Sequence, residues 1–261
     1  MSVQVLVAAV NKDEKSLVEM MNIQTEAIVA NQTNNFRVHS FIWNGSEIKC
    51  FSFNEKGVGL NRNNALMRAT GEFCLFADDD MRYVNGYESI VEKAFFDLPD
   101  ADVIVFNLIE SGKSFRKQNK KSSRVRWWNF LRYGTARVAI RLETIRENGI
   151  LFNLTYGGGT EHSHGEDNIF LGDCLKKGLK IYAVPQYIAE LQENRASSWN
   201  KGYDEKYLRD QGDLYRQISK KFWLFFCLQD VIRRGRHYTV NAICALKYML
   251  EGNTGRKKSN G

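Results

Sequence analysis

The chain has 261 residues, of which two are prolines and 12% are aromatic, and this composition argues against a disordered protein. Its five cysteines show no Cys-x-x-Cys spacing, so we expect reduced core thiols in a cytosolic protein. The formal net charge is +7 at pH 7, which raises nucleic-acid binding as a first hypothesis.

The position of the charge along the chain reduces nucleic-acid binding to a minor alternative. From Lys220 onward there are nine basic residues and two acids, and nine minus two accounts for the whole excess of seven. Residues 1–219 are therefore balanced, and nucleic acid is not expected as a partner. We divide the chain into a domain over 1–219 and a basic tail over 220–261.

Alternating apolar segments predict a doubly wound α/β sheet in the first half. We expect strands over 3–10, 36–43, 48–53 and 101–109, and helices over 15–30 and 87–98. A further helix follows Gly57 and leads into a fourth strand that begins at Glu72. Because such folds bind ligands at the carboxyl ends of their strands, Asn11 and Asp78 should frame one crevice.

The strand from Glu72 ends on three adjacent acids, Asp78, Asp79 and Asp80. Three neighbouring carboxylates repel one another, so a cation is expected to neutralise them. On an extended backbone Asp78 and Asp80 face the same side, which predicts one Mg²⁺ or Mn²⁺ with room for a substrate diphosphate. The alternative is an acidic turn that merely ends the strand.

The basic segment over 112–132 contains no acid and predicts a loop. It is either a solvated excursion or a flap in which Trp127 or Trp128 stacks on a sugar. After it we expect a strand over 134–141, a helix over 142–148, a strand over 179–184 and a helix over 204–219.

A second polar motif lies between these elements. The three glycines at 157–159 allow the backbone to approach a ligand closely, and Gly165-Glu166-Asp167 begins a helix. Acids are favoured in any first helical turn, so a purely structural role is the alternative. His162 and His164 raise the question of zinc, but no cysteine or further histidine is near, and acceptor contact is the better functional interpretation.

Together the motifs resemble the nucleotide-sugar-dependent glycosyltransferases of family 2, which have the GT-A fold. The family pattern of Arg-Asn, Gly-Glu and Asp-x-Asp is matched by Arg62-Asn63, Gly71-Glu72 and residues 78–80, and Gly165-Glu166-Asp167 resembles its second motif. The resemblance covers roughly residues 3–215. It is closest to enzymes that build bacterial capsular or other surface polysaccharides.

The resemblance implies an inverting enzyme that moves a sugar from a UDP-sugar donor to a lipid-linked oligosaccharide. It implies Asp167 as the general base and Glu166 as an acceptor-orienting partner, with Mn²⁺ or Mg²⁺ at Asp78 and Asp80. The expected donor contacts are Asn11, Arg62, Asn63, Asp78, Asp79 and Asp80. The expected acceptor contacts are Gly158, Gly159, His162, His164 and Trp199.

This chain differs from many GT-A enzymes in its third metal ligand, and two other classes of protein remain as alternatives. Many GT-A enzymes have a third metal ligand, often histidine, after the last strand, and this chain has no histidine between His164 and His237. Water, Gln192 or Glu193 is the expected substitute. The alternatives from other classes are a metal-dependent nucleotidyltransferase and a non-catalytic sugar- or lipid-binding module.

The tail combines apolar stretches over 222–228 and 242–250 with flanking basic residues. This composition is typical of interfacial helices and predicts a peripheral enzyme on the cytoplasmic face of an anionic membrane. The alternative is that these helices pack on the catalytic domain or in a homodimer. On the membrane hypothesis, a chain that ends at Ser219 should stay soluble and active.

Overall fold

The computed structural model describes residues 2–110, 118–162, 164–192 and 203–252. The chain forms one mixed sheet flanked by helices. The strands are β1 (Val3–Val10), β2 (Glu26–Gln32), β3 (Arg37–Trp43), β4 (Ser46–Phe53), β5 (Phe73–Asp78), β6 (Met81–Tyr83), β7 (Val103–Glu110), β8 (Ser123–Arg124), β9 (Val138–Arg141) and β10 (Ile181–Leu191). The helices are α1 (Glu14–Met20), α2 (Val58–Arg68), α3 (Tyr87–Asp97), α4 (Leu142–Glu147), α5 (Glu166–Lys176), α6 (Glu205–Ile218), α7 (Trp223–Arg234) and α8 (Ala242–Glu251).

The order across the sheet is β3-β4-β2-β1-β5-β9-β7-β10-β6, with β8 paired to β10. Strands β4, β2, β1 and β5 run parallel, whereas β9 is antiparallel to both of its neighbours. The central strands are apolar along almost their whole length because helices cover both faces of the sheet. Helices α1 and α3 contribute to the core on one face, and α2 and α4 to α8 to the core on the other.

The register of β1 and β5 sets the position of the site. Ala8 lies beside Asp78 in the parallel pair, so both strands end at the same edge of the sheet. Exposed Asn11 follows β1 with a left-handed backbone, φ 50°, and its amide donates to the carbonyl of Gln32 at 2.9 Å. Asn11 and Asp78 therefore lie at the same edge of the sheet, as the predicted crevice requires, although the strand of Asp78 is the fifth and not the fourth.

The predicted helix over 15–30 is wrong. Helix α1 ends after two turns, and Asn22, with φ 54°, leads through a turn into β2. Ile28 and Val29, which were expected on a helix face, lie in the fully buried middle of β2. A run of apolar residues this short fits a buried strand as well as a helix, and the sheet position decided the outcome.

The basic segment after β7 is more ordered than a solvated loop in the part that the structure describes. Residues 118–132 include β8 and a short 3-10 turn at Phe130–Arg132. Trp127 packs edge-on against the buried ring of Phe130 at 5.5 Å, while Trp128 is exposed. Lys113, Arg116 and Lys117 lie outside the described residues.

Two strands have different limits in the structure from those that the sequence predicted. The segment over 134–141 starts with a 3-10 turn, Thr135–Arg137, and only Val138–Arg141 is a strand. The strand expected over 179–184 continues to Leu191, with irregular pairing to β7 around Tyr187. Pro185 does not end it, because the sheet pairing resumes beyond the irregularity.

The tail helices α7 and α8 pack on the domain by their inner faces. Phe226 is buried, with its ring 5.9 Å from Phe130 and 5.7 Å from Tyr215. Helix α8 approaches α6 so closely that a Cβ on Gly212 would lie 1.9 Å from the carbonyl oxygen of Met249. The alternative that these helices pack on the domain therefore holds for one face of each, and the opposite faces remain exposed. Within the described residues, no helix has an apolar stretch long enough to cross a bilayer.

Candidate functional site

The two motifs meet at the side chain of Arg62. Helix α2 carries this arginine into the interior, where only 4% of the side chain is exposed. Its Nη2 donates to Asp78 Oδ1 at 2.8 Å, and its Nη1 donates to Glu166 Oε1 at 2.9 Å and to Asp167 Oδ1 at 2.8 Å. One guanidinium thus ties the end of β5 to the start of α5. Arg62 is therefore a buried residue of α2 and not a solvated one.

The electrostatics of this cluster follow from its charge imbalance. Burial opposes the charge on Arg62, but Asp78, Asp167 and Glu166 outweigh that effect and raise its pKa. One cation cannot neutralise three carboxylates. Burial and the neighbouring charge of Asp167 raise the pKa of Glu166 to about 7, although Arg62 acts in the opposite direction.

Asp167 is held in place and is still accessible. Its Oδ1 accepts hydrogen bonds from Arg62 and from the hydroxyl of Thr135, and 28% of its side chain is exposed. Its Oδ2 faces the backbone of Gly134, where an added Cβ would approach to 3.0 Å. Glu166, by contrast, is only 5% exposed. Of the two acids, Asp167 is therefore the one that a substrate hydroxyl can reach.

The aspartate triplet does not continue as an extended strand. Strand β5 ends at Asp78, and Asp79 and Asp80 lie in a turn before β6. The expectation that Asp78 and Asp80 face the same side of a strand is therefore wrong. Buried Asp79 instead accepts from the amide of Val10 at 3.3 Å and lies 3.6 Å from the ammonium of Lys12.

The next question is which side chains could act as ligands of the predicted metal ion. No group of three or more histidine, cysteine or acidic side chains that could hold an ion occurs in the described part of the chain. Asp78 and Asp80 are both partly exposed and at the end of β5. Two carboxylates fit Mg²⁺ or Mn²⁺ bound mainly through water and substrate phosphates, and they do not fit an all-protein cage.

The glycine-rich loop serves packing between the motifs. Gly158 accepts a hydrogen bond from the amide of Val58 at 2.9 Å, and a Cβ on Gly159 would lie 3.1 Å from the amide nitrogen of Gly57. Gly157 has φ 106°, and a Cβ there would meet Glu166 and Val58 at 2.8 and 2.6 Å. The close contacts of these glycines are with the start of α2 and with Glu166, and their approach to a ligand stays a prediction.

The two histidines connect the same loop to α6. His162 stacks on Tyr156 and its Nδ1 lies 3.2 Å from Asp210, while His164 Nε2 lies 2.8 Å from the side-chain oxygen of Gln211. Burial is the main cause of a lowered pKa for His164. These partners make the histidines links between the second motif and α6, and their role toward an acceptor stays a prediction.

The other predicted site residues have different positions. The side-chain amide of buried Asn63 makes two hydrogen bonds, of 2.9 and 2.8 Å, with the backbone of Phe152 and so anchors that loop. Its contact with a donor stays a prediction. Trp199 and Glu193 lie outside the described residues. Sequence analysis missed Gly134 and Thr135, because an ordinary Gly-Thr pair before a strand carries no recognisable motif.

No family model matches the sequence, and a search of curated proteins finds no match. Solved structures of similar fold exist. The chain aligns with S. aureus TarS 1-349 in complex with UDP-GlcNAc at a TM-score of 0.64 and 17% identity, over 91% of this chain and 74% of that one. It aligns with the same TarS segment in complex with UDP at a TM-score of 0.58 and 16% identity, over 96% and 70%.

The longer S. aureus TarS chain matches with a TM-score of 0.64 and 17% identity over 92% of this chain, which spans 44% of that TarS chain. TarS is a glycosyltransferase. At these identities the likeness concerns the fold. The chain therefore has a mixed α/β fold of the GT-A type, shared with the glycosyltransferase TarS.

Proposed function

We propose that the protein is an inverting glycosyltransferase that moves a sugar from a UDP-sugar to a lipid-linked or oligosaccharide acceptor in bacterial surface polysaccharide synthesis. The observation that carries this proposal is the Arg62 cluster. It holds one acid from the end of β5 and two from the start of α5 within hydrogen-bonding distance of a single side chain. The TarS complexes with UDP-GlcNAc and UDP support a nucleotide-sugar donor for a protein of this fold.

In the proposed reaction Asp167 takes the proton from an acceptor hydroxyl. The hydroxyl oxygen attacks the anomeric carbon as the bond to the nucleoside diphosphate breaks, which inverts the configuration at that carbon. Arg62 and Thr135 fix Asp167 Oδ1 throughout, so the carboxylate keeps its orientation. Asp78 and Asp80 would hold Mn²⁺ or Mg²⁺, which would neutralise charge on the leaving diphosphate.

The proposal is tested by calorimetric titration of UDP with the purified protein, with Mn²⁺ present or with EDTA. We expect binding that depends on Mn²⁺ and that Asp80→Ala weakens, together with loss of transfer in this variant. A screen of nucleotide sugars for slow hydrolysis then identifies the donor. Full activity in EDTA, or an active Asp80→Ala enzyme, contradicts the metal role. Absence of any UDP binding contradicts the proposed function.

We propose further that the exposed faces of α7 and α8 attach the protein to the cytoplasmic surface of an anionic membrane. Large apolar side chains are exposed on both helices: Leu224, Phe225, Leu228, Ile232, Ile243 and Leu250. Exposed basic residues accompany them, including Lys221, Arg233 and Arg236. An apolar row beside cations complements an anionic lipid surface, to which each basic residue contributes about 1 kcal/mol.

A further inference from the structure

An open cleft of about 490 Å³ lies where the second-motif loop, α6 and the start of α7 meet. It is a separate feature from the Arg62 cluster. Its lining consists of aromatic and polar side chains and includes no aliphatic one. These residues are Tyr156, Asp213, Arg216, Gln217, Lys220 and Trp223.

The walls of the cleft are held by defined contacts. The ring of Tyr156 stacks on His162 with centroids 4.6 Å apart, and the guanidinium of Arg216 lies 4.3 Å from the ring centre of Trp223. Arg216 also donates to Asp213 Oδ1 at 3.0 Å. Because these contacts fix several groups before any ligand arrives, a ligand would lose little binding free energy in ordering the site.

The second-motif loop connects the cleft to the carboxylates proposed to act in catalysis. Tyr156 immediately precedes Gly157, whose missing Cβ would lie 2.8 Å from the carboxyl group of Glu166. The amide of Gly157 donates to the carbonyl of His162 at 2.7 Å. This bond joins the two ends of the segment 157–162, which lies in the chain between Tyr156 of the cleft and the start of α5. A molecule in the cleft therefore lies on the side of the second motif, where the acceptor is expected.

The side chains of the lining indicate the chemistry of its ligand. Flat aromatic rings contact the apolar faces of sugar rings, and the amide of Gln217 and carboxylate of Asp213 can hydrogen-bond sugar hydroxyls. The lining contains two cations and one acid. Asp213 already pairs with Arg216, so the positive charge of exposed Lys220 is in excess and favours a phosphate or carboxylate.

We propose that this cleft is the subsite for an anionic saccharide unit of the acceptor, and that Lys220 binds its phosphate or carboxylate group. The assignment rests on the proposed function, because it takes the hydroxyl of that acceptor to react at Asp167. It also gives the tail a second role, since Lys220 and Trp223 supply one wall of the cleft.

The test is retention of the intact protein on an array of bacterial glycans. The array carries phosphate-bearing, uronate-bearing and neutral saccharides as three separate sets. We expect retention on one or both anionic sets, and the set retained identifies the anionic group. Lys220→Gln should weaken retention about tenfold or more, which corresponds to loss of one hydrogen bond to a charged group.

Lys221→Gln is the matched control. It removes the same charge from an exposed lysine that is next to Lys220 in the chain but does not line the cleft. It should change retention by no more than about twofold, as expected for an exposed charge. Equal losses in both variants, equal retention on neutral glycans, or no retention at all overturns the proposal. Titration with UDP separates this outcome from the proposed function: a protein that binds UDP but no anionic glycan retains the donor role and loses this subsite.

Discussion

At the scale of single residues, Arg62 decides how the site is assembled. Its three hydrogen bonds need a planar group with donors in fixed directions, which arginine has and lysine lacks. A buried guanidinium also keeps Asp78, Glu166 and Asp167 close in spite of their mutual repulsion. The pair Glu166 and Asp167 then divides into a buried acid with a raised pKa and an accessible one held by Thr135.

The first prediction at this scale concerns the base. Asp167→Asn keeps the size of the side chain and removes its ability to take a proton, so transfer should fall about a hundredfold or more. Affinity for UDP should stay unchanged in a calorimetric titration. Asp173→Asn is the control, since Asp173 lies on the same helix and pairs with Lys176 at 2.8 Å. Loss of UDP binding in Asp167→Asn would place this residue on the donor side instead.

The second prediction uses the raised pKa of Glu166. Between the ordinary pKa of 4.5 and the folded pKa of about 7, the native protein binds a proton that the unfolded chain has lost, so stability falls as pH rises through this window. Glu166→Gln removes this pH-dependent loss of stability, because glutamine does not ionise. We measure the free energy of unfolding of both proteins in urea. The difference, variant minus wild type, should increase by roughly 3 kcal/mol between pH 4.5 and pH 8.

The control for this titration is Glu143→Gln, which changes an exposed acid in the first turn of α4. Its stability should follow that of the wild type across the same pH range. If Glu166→Gln also runs parallel to the wild type, Glu166 is ionised throughout and its raised pKa is wrong.

At the scale of elements, α7 has two apolar faces with different partners. Its inner face places Phe226 and Cys227 in the core, and its outer face exposes Leu228 by 49% and Ile232 by 82%. Two faces of this kind explain why the segment is too apolar for an ordinary surface helix. Packing on the domain and contact with a membrane therefore involve different residues of one helix.

The third prediction tests the outer face by flotation with liposomes. The wild type should rise with anionic vesicles more than with neutral ones. The double change Leu228→Ser and Ile232→Ser should lower anionic binding about tenfold or more, because each large apolar side chain contributes up to about 1.5–3 kcal/mol when buried. The matched control is Val38→Ser with Ile42→Ser, which changes two exposed residues of the edge strand β3.

A different outcome would assign the face to another partner. If the wild type ignores anionic vesicles and runs as a dimer whose dissociation follows the α7 substitutions, the exposed row is a subunit interface. The β3 control should behave as the wild type in that experiment as well.

At the scale of the whole molecule, the tail belongs to the same core as the sheet. Phe226 and Met249 pack in the cluster that also contains Phe76 of β5 and Phe170 of α5. A chain that ends at Ser219 would leave that cluster uncovered, so we now expect it to aggregate. This reverses the sequence-based expectation of a soluble truncated enzyme.

The fourth prediction measures this dependence with two adjacent phenylalanines. Phe226→Ala should lower the free energy of unfolding by about 3–5 kcal/mol, as expected for a fully buried aromatic side chain. Phe225→Ala removes the same atoms from a half-exposed position and should cost far less. Urea unfolding of both variants gives the comparison, and equal losses would mean that α7 does not contribute to the core as the structure shows.

The sequence by itself determined the α/β class, most of the elements and the two acidic motifs. These features depend on local periodicity and on residue types that are recognisable in a single chain. It failed at residues 15–30, where an apolar run was consistent with either a helix or a strand. Only the place of Ile28 and Val29 beside β1 made that run a strand.

Only the tertiary structure decided what lies around the acids. Arg62 and Asp167 are 105 positions apart in the chain and 2.8 Å apart in space, and no local pattern encodes that approach. The role of Thr135, the packing of the glycine loop on α2 and the inner face of α7 are of the same kind. Each is a contact between distant segments, which the packing of helices on the sheet establishes and which the sequence of either segment alone does not contain.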